Sequence, residues 1–318
     1  MLDPDAKRYL EHRRRESALG EAQSFDPVVL RAEERRLRHR YGHGPQMYLE
    51  EEVLSAAGVP RHLVLDPCVQ PLGTLIYFHG GGWVMGEPED YVAVCRAIAS
   101  ETSWRVVVSD YRKAPEDPFP AAFDDARALV TWFADHPPHT LTHERLRLGV
   151  IGDSAGGNLA AAVAAHFAAL GSEALAVQVL ITPVLDTDLE TPSYRDPSRQ
   201  LTLTREAMVW FMDQYVDAGL RRDFRVAPLH AREIAGLPPT VFVSVHSDVL
   251  HSEGQAYLDR LRAAGVPLRH LELSGQMHGF FQLYNVMGAS QQAVTWISQS
   301  LRDLNDLESG ARHQKGTA

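Results

Sequence analysis

Residues 150–158 read Val150-Ile151-Gly152-Asp153-Ser154-Ala155-Gly156-Gly157-Asn158, a serine with a glycine two positions away on each side. An apolar run precedes it and an alanine-rich stretch follows, the pattern of a buried strand turning sharply into a helix. A serine at such a turn is pushed outward in a strained backbone conformation, and the glycines leave room for the chain to double back. The helix start behind it offers unpaired N–H groups that stabilise negative charge. The chemistry implied is nucleophilic attack on an acyl carbon, set against the blander reading of a structural glycine-rich turn. Gly152 and Gly157 also have the spacing of a phosphate-binding loop, but Asn158 and Leu159 stand where that loop needs its lysine and hydroxyl.

A serine hydroxyl is a poor nucleophile at neutral pH, so a base must take its proton and a carboxylate must orient the base. On parallel sheets that carry this motif the acid and then the histidine follow the serine in chain order, each beyond the C-terminal end of a strand. Asp248 follows the apolar run Val241 to Val245, and His278 follows Leu268 to Leu273. His246 and His251 lie too close to Asp248 to occupy a separate loop, His270 falls within a strand and His313 in the tail. Among acids, Glu253 opens a helix and Asp186 follows an earlier strand. The expected trio is Ser154 as nucleophile, Asp248 as acid and His278 as base.

Attack on a carbonyl puts negative charge on oxygen, which needs preorganised N–H donors about 3 Å away. The run His79-Gly80-Gly81-Gly82-Trp83-Val84-Met85-Gly86, after the apolar Thr74 to Phe78, supplies bare backbone at a strand end. Gly81 and Gly82 together with Ala155 are the expected oxyanion hole. Trp83 and Phe280 flank this centre and are expected to line the substrate pocket. Met85 breaks a dinucleotide-binding G-x-G-x-x-G pattern, and there is no H-E-x-x-H or Cys/His cluster, so neither a cofactor nor a metal is expected. His79 reads as an anchor for its loop.

These residues need a scaffold. Strands are expected around Tyr48 to Leu54, Arg61 to Leu65, Leu75 to Phe78, Val106 to Ser109, Leu148 to Ile151, Val177 to Thr182, Val241 to Val245 and Leu268 to Leu273. Ala57-Gly58-Val59-Pro60 reads as the turn between the first two. Helices are expected near Tyr91 to Ser100, Ala121 to Phe133, Ala155 to Leu170, Glu253 to Ala264 and Val286 to Leu301. Such alternation, with strands apolar on both faces, predicts an α/β fold with a mostly parallel sheet covered by helices on both sides. The division expected is an N-terminal helical cap segment at 1–45, core at 46–185, a cap insertion at 186–237, core again at 238–310 and a flexible tail at 311–318. Within the insertion, the run Met208 to Met212 is expected to pack partly into the core.

With 318 residues and 45% hydrophobic composition the chain can bury a sizeable core, and its net charge of −10 gives no footprint for a nucleic-acid partner. Arg13-Arg14-Arg15 and the arginines of 31–40 are interleaved with glutamates, as on a solvated helix face. The two cysteines, Cys68 and Cys95, suit a reducing compartment. There is no apolar signal-peptide core and no run near the ~20 apolar residues of a membrane span, so the expected location is cytoplasmic.

Taken together, HGGGW at His79 to Trp83, YRKAPEDPFPAA at Tyr111 to Ala122, GDSAGGN at Gly152 to Asn158, SDVLHSEG at Ser247 to Gly254 and GQMHGF at Gly275 to Phe280 carry a family resemblance. From about Gly58 onward the chain resembles the bacterial hormone-sensitive-lipase-like esterases, which have the α/β-hydrolase fold. The resemblance implies the same triad and oxyanion hole, no cofactor or metal, and a lid built from the N-terminal segment and the insertion after the sixth strand. It further implies a serine esterase acting on short-acyl esters, and it is compatible with a homodimer. Removal of O- or N-acetyl groups from a specialised metabolite is the alternative within the same chemistry. A non-catalytic receptor on the same fold, like the gibberellin receptors that lack the catalytic histidine, is the alternative of another class. The sequence departs from the family pattern at Lys113, Asp117, Val249 and Ser252, where Leu, His, Pro and Asp are common, and the last departure bears on how the acid's loop is held.

Overall fold

In the computed structural model, which describes residues 1–18, 25–55, 58–136 and 148–315, the short apolar runs become strands of one sheet. In chain order these are β1 (Leu49–Val53), β2 (His62–Asp66), β3 (Thr74–Phe78), β4 (Arg105–Ser109), β5 (Leu148–Asp153), β6 (Val177–Ile181), β7 (Thr240–Ser247) and β8 (Leu268–Met277). The spatial order is β1-β2-β4-β3-β5-β6-β7-β8. β2 pairs antiparallel with both β1 and β4, and every pair from β4 through β3 to β8 is parallel.

The helices are α1 (Pro4–Ala18), α2 (Pro27–Leu37), α3 (Pro88–Thr102), α4 (Ala121–Asp135), α5 (Ala155–Ala169), α6 (Pro192–Arg195), α7 (Arg205–Tyr215), α8 (His251–Ala263) and α9 (Gly288–Lys315). Strand residues alternate between the two faces of the sheet, as the pleat requires. Ile76, Phe78, Val150, Leu180 and Phe242 join α4, α5, α8 and the insertion in one apolar cluster. Leu75, Tyr77, Ile151, Val179 and Val243 join α1, α3 and α9 in the other. β3 and β5 are buried along their whole length, which explains runs without polar alternation.

One feature of the topology positions the site. β3 lies between β4 and β5, so the connection after β3 leaves in one direction and β5 begins the other half of the sheet. A crevice opens where strand order reverses in this way. The register sets Phe78 opposite Gly152, which brings the glycine loop after β3 beside the serine turn after β5.

Two boundaries differ from expectation. β8 runs on to Met277, because β7 extends to Ser247 and pairs with it after an irregularity. α9 continues to Lys315 where a tail was expected from 311, since extending a helix costs far less than nucleating one. Residues 316–318, and Ala57 of the expected turn, lie outside the described residues. The N-terminal segment divides: α1 docks through Asp3 and Asp5 on Gly275, Gln276 and Gly288, whereas α2 reaches the glycine loop.

Candidate active site

Ser154 occupies the turn between β5 and α5 with φ 54° and ψ −120°, a conformation that costs a non-glycine residue about 1–3 kcal/mol. The flanking glycines are there for steric reasons. A Cβ on Gly152 would lie 2.3 Å from the Gly156 carbonyl oxygen, and one on Gly156 would lie 1.9 Å from that of Phe78. The turn is held by the Ser154 N–H, which donates to Ile181 O at 2.9 Å, and by Val184 N–H, which donates to Ser154 O at 3.1 Å.

The three residues expected to work together do meet. Ser154 Oγ is 2.9 Å from His278 Nε2, and His278 Nδ1 is 2.8 Å from Asp248 Oδ2. Asp248 and His278 are both buried. Asp248 Oδ1 accepts from Leu250 N–H at 3.0 Å, so both carboxylate oxygens are engaged. Burial pulls the His278 pKa down, but the charge and hydrogen bond of Asp248, with Asp153 farther off, outweigh it and hold the value above that of an ordinary histidine. The insertion steadies this loop too, since Thr202 Oγ1 donates to His278 O at 2.7 Å. Ser252, where the sequence departs from the family pattern, is tied to the insertion. Ser193 of α6 and Ser252 of α8 each donate a backbone N–H to the other's hydroxyl, at 3.0 and 3.1 Å.

Gly81 (φ 110°) and Gly82 (φ 61°) follow β3 in conformations that favour glycine. Among the described residues no backbone acceptor engages the N–H groups of Gly81, Gly82 or Ala155. Asp153 ties this loop to the serine turn: its Oδ1 accepts from Gly80 N–H at 3.1 Å and from the Tyr77 hydroxyl at 2.7 Å. Burial raises the Asp153 pKa to about 6, against the lowering effect of Tyr77, His278 and the Gly80 N–H.

His79 anchors the loop, as expected. Its ring stacks between Tyr111 at 4.4 Å and Tyr91 at 5.5 Å, and Nδ1 lies 2.7 Å from Gly80 O. Burial, reinforced by Lys113, pulls its pKa down to about 3. The ring is therefore neutral at pH 7, and because a carbonyl only accepts, its proton sits on Nδ1.

Trp83 and Phe280, expected to line the substrate pocket, are both fully buried. Trp83 stacks on Tyr215 at the end of α7, 4.1 Å between centroids, and Phe280 packs with Phe281 and Met277 in the cluster on the far side of the sheet. A flat ring next to a glycine turn fills the space those glycines leave open. The residue that stands over the loop is Phe211, whose ring would be 2.2 Å from a Cβ on Gly82. It belongs to the Met208 to Met212 run, in which Met208, Phe211 and Met212 are buried while Val209 and Trp210 are partly so.

Two residues have supporting roles that the sequence did not reveal. Asn158, the last residue of the serine motif, donates through Nδ2 to Val184 O and Val226 O at 2.9 and 2.7 Å, tying α5 to the segment after β6 and to the insertion. Glu253 accepts from Leu185 N–H at 2.7 Å and Asp186 N–H at 3.3 Å, and burial pushes its pKa well above the usual carboxylate range. Both lie inside quoted motifs, which was the available signal, but their partners are 26 to 68 positions away. Among the described residues, no helix is long and apolar enough to cross a membrane.

Comparison with known proteins gives a consistent picture. The alpha/beta hydrolase fold family matches residues 75–282. The carboxylic ester hydrolase LipN of Mycobacterium tuberculosis is 32% identical over 314 residues, covering 95% of this chain and 82% of the relative. An ethyl acetate hydrolase of Pseudomonas putida is 30% identical over 230 residues, 72% of each chain. The solved ester hydrolase EH1AB1, from the metagenome of Lake Arreo, superposes with a TM-score of 0.87 at 31% identity, covering 94% of this chain and 98% of its own.

Proposed function

Because this chain belongs to the alpha/beta hydrolase fold family, we propose that it is a serine carboxylester hydrolase that cleaves short-acyl esters through an acyl-enzyme. The observation that carries the reading is the unbroken relay from Ser154 through His278 to Asp248 beside the glycine loop. His278 Nε2 removes the Ser154 proton as Oγ attacks the ester carbonyl, and Asp248 keeps the imidazole in the required tautomer and stabilises the imidazolium. The carbonyl oxygen, now negative, receives the N–H groups of Gly81, Gly82 and Ala155, each worth roughly 3–4 kcal/mol of barrier. His278 then protonates the departing alcohol, and water activated by the same histidine releases the acid.

Phe211 over Gly82 supports a short acyl group, because α7 closes down on the oxyanion loop. The substrate of the ethyl acetate hydrolase relative is of that size. Unpaired Cys68 and Cys95 suit a reducing compartment such as the cytoplasm. A homodimer rests on the family resemblance, and sedimentation velocity reads it directly.

The test is hydrolysis of p-nitrophenyl esters from acetate to laurate by wild type and Ser154→Ala. Turnover concentrated on the short esters and reduced on the order of 10⁶-fold in the variant is the expected outcome. A folded wild type inert on every ester would overturn the assignment.

A further inference from the structure

Two histidines passed over as triad members, His246 and His251, meet Glu272 at one corner of the sheet. They come from three elements. His246 lies on β7 at the irregularity between Val245 and Ser247, where the ladder is interrupted and a side chain is re-aimed. His251 opens α8, and Glu272 lies on β8 opposite Ser244. His251 Nε2 is 3.3 Å and His246 Nδ1 3.8 Å from Glu272 Oε1, and the three donor atoms all lie within 4.8 Å of one another.

In a tetrahedral site with metal bonds of about 2.0–2.1 Å, ligand atoms are about 3.4 Å apart. The His251–Glu272 separation already meets that spacing. The remaining gaps close by side-chain rotation, which His246 at 54% and Glu272 at 37% exposure are free to make. His270, on the same strand as Glu272, is engaged elsewhere, its Nε2 being 2.8 Å from Ser244 Oγ. Arg199 is the neighbouring cation. It donates to His246 O at 2.6 Å and pairs with Asp196 at 3.4 Å, so its charge is partly spent.

We propose that His246, His251 and Glu272 form a binding site for a divalent transition metal, with Zn²⁺ the best-matched ion. Two imidazoles and one carboxylate are the donor set that such ions favour, whereas Ca²⁺ and Mg²⁺ take oxygen ligands. The fourth position is left to water. The ligands bracket Asp248, and Glu272 stands on the strand that leads into His278. A bound ion therefore staples the acid's loop to the base's strand without touching Ser154. Its role is to brace the relay rather than to take part in acyl transfer.

The experiment titrates Co²⁺ into chelator-treated full-length protein and follows the visible d–d absorption. A parallel series records thermal unfolding with and without Zn²⁺. Expected are a band saturating at one ion per chain, its displacement by Zn²⁺, and a Zn²⁺-dependent rise in unfolding temperature that EDTA reverses, as for any ligand that binds only the folded state. His251→Ala and Glu272→Gln should weaken binding at least about tenfold, while His270→Ala should not. Metal-free unfolding curves check that each variant is folded, and His246→Gln serves as a second ligand variant if one is not. A wild type with no band, or ligand variants that bind like wild type, overturns the site. Because binding is read without an ester, the result is independent of the proposed catalytic function.

Discussion

His278 is subject to two opposed effects, and their balance makes a prediction. Burial disfavours its charged form, while Asp248 favours it more strongly. A general base must be neutral, so kcat/KM should fall as pH drops through a value above the ordinary ~6.5 of histidine. Replacing Asp248 with Asn leaves burial and removes the attraction. The acid limb should then move to lower pH, with kcat reduced on the order of 10⁴-fold. A pH profile on a short p-nitrophenyl ester, with the limb unmoved in the variant, would contradict this account. Gly82 yields a second residue-scale test. An alanine there meets Phe211 and must also adopt φ 61°, so Gly82→Ala should cost roughly 10²–10³-fold in kcat. Adding Phe211→Ala should restore only part of that loss, because it relieves the collision and not the backbone strain.

At the scale of elements, α2 is held to the body mainly by charge. Its N-terminus is capped by Asp26, yet none of its residues is wholly buried, the carboxyl end of the half-buried Glu34 being the part that is enclosed. Arg31 donates to Val84 O and Ala114 O, both at 2.7 Å, and makes a two-pronged pair with Glu116. Arg38 pairs with Glu87 and with buried Asp90, and Arg35 with Glu87. Val84 and Glu87 follow Gly82 closely in the chain, so α2 is fastened to the far end of the glycine loop. A cavity of about 770 Å³ lies at this joint, lined by Arg31, Glu34, Arg38, Glu87, Asp110 and Lys113. Arg31→Ala should lower kcat roughly tenfold, given about 1.5–3 kcal/mol for hydrogen bonds to a charged group. Arg31→Lys should not restore it, because a single ammonium cannot reproduce the fork. Full activity in either variant would remove α2 from the positioning of the loop.

For the whole molecule, pH should act through Glu34. Among the described residues its Oε2 is buried without a hydrogen-bond partner, and burial, with Asp90 next, raises its pKa to about 8 against the lowering effect of the Gly86 N–H and Arg38. A carboxyl whose folded pKa is raised binds its proton more tightly in the folded state. Its contribution to stability is therefore complete below the ordinary glutamate value and lost as pH rises through about 8. The unfolding temperature of the wild type should decline between about pH 5 and 8 more steeply than that of Glu34→Gln, which cannot ionise, and the two slopes should converge above pH 8. Parallel curves for the two proteins would refute the role. Hydrogen exchange of the α2 amides over the same range reports whether the loss begins with local release of that helix.

Much of the candidate site's geometry was legible in the sequence because its signals are local. Ser154, Gly81 and Gly82 each need a particular backbone conformation at a strand end, and strand ends can be read from apolar runs and glycines. Asp248 and His278 followed from chain order on a parallel sheet. The two sheet faces were legible only as alternation, since a period of two says that a side chain faces one side and not what it meets there. Asp153 shows the limit: it occupies a motif position, but its partner Gly80 lies 73 residues away and becomes a neighbour only when β3 pairs with β5. Trp83 and Phe280, Phe211 over Gly82, the α2 contacts and the His246–His251–Glu272 corner were decided in the same way. Each depends on which elements pack together, and that is set by the collective burial of the core rather than by any short stretch of chain.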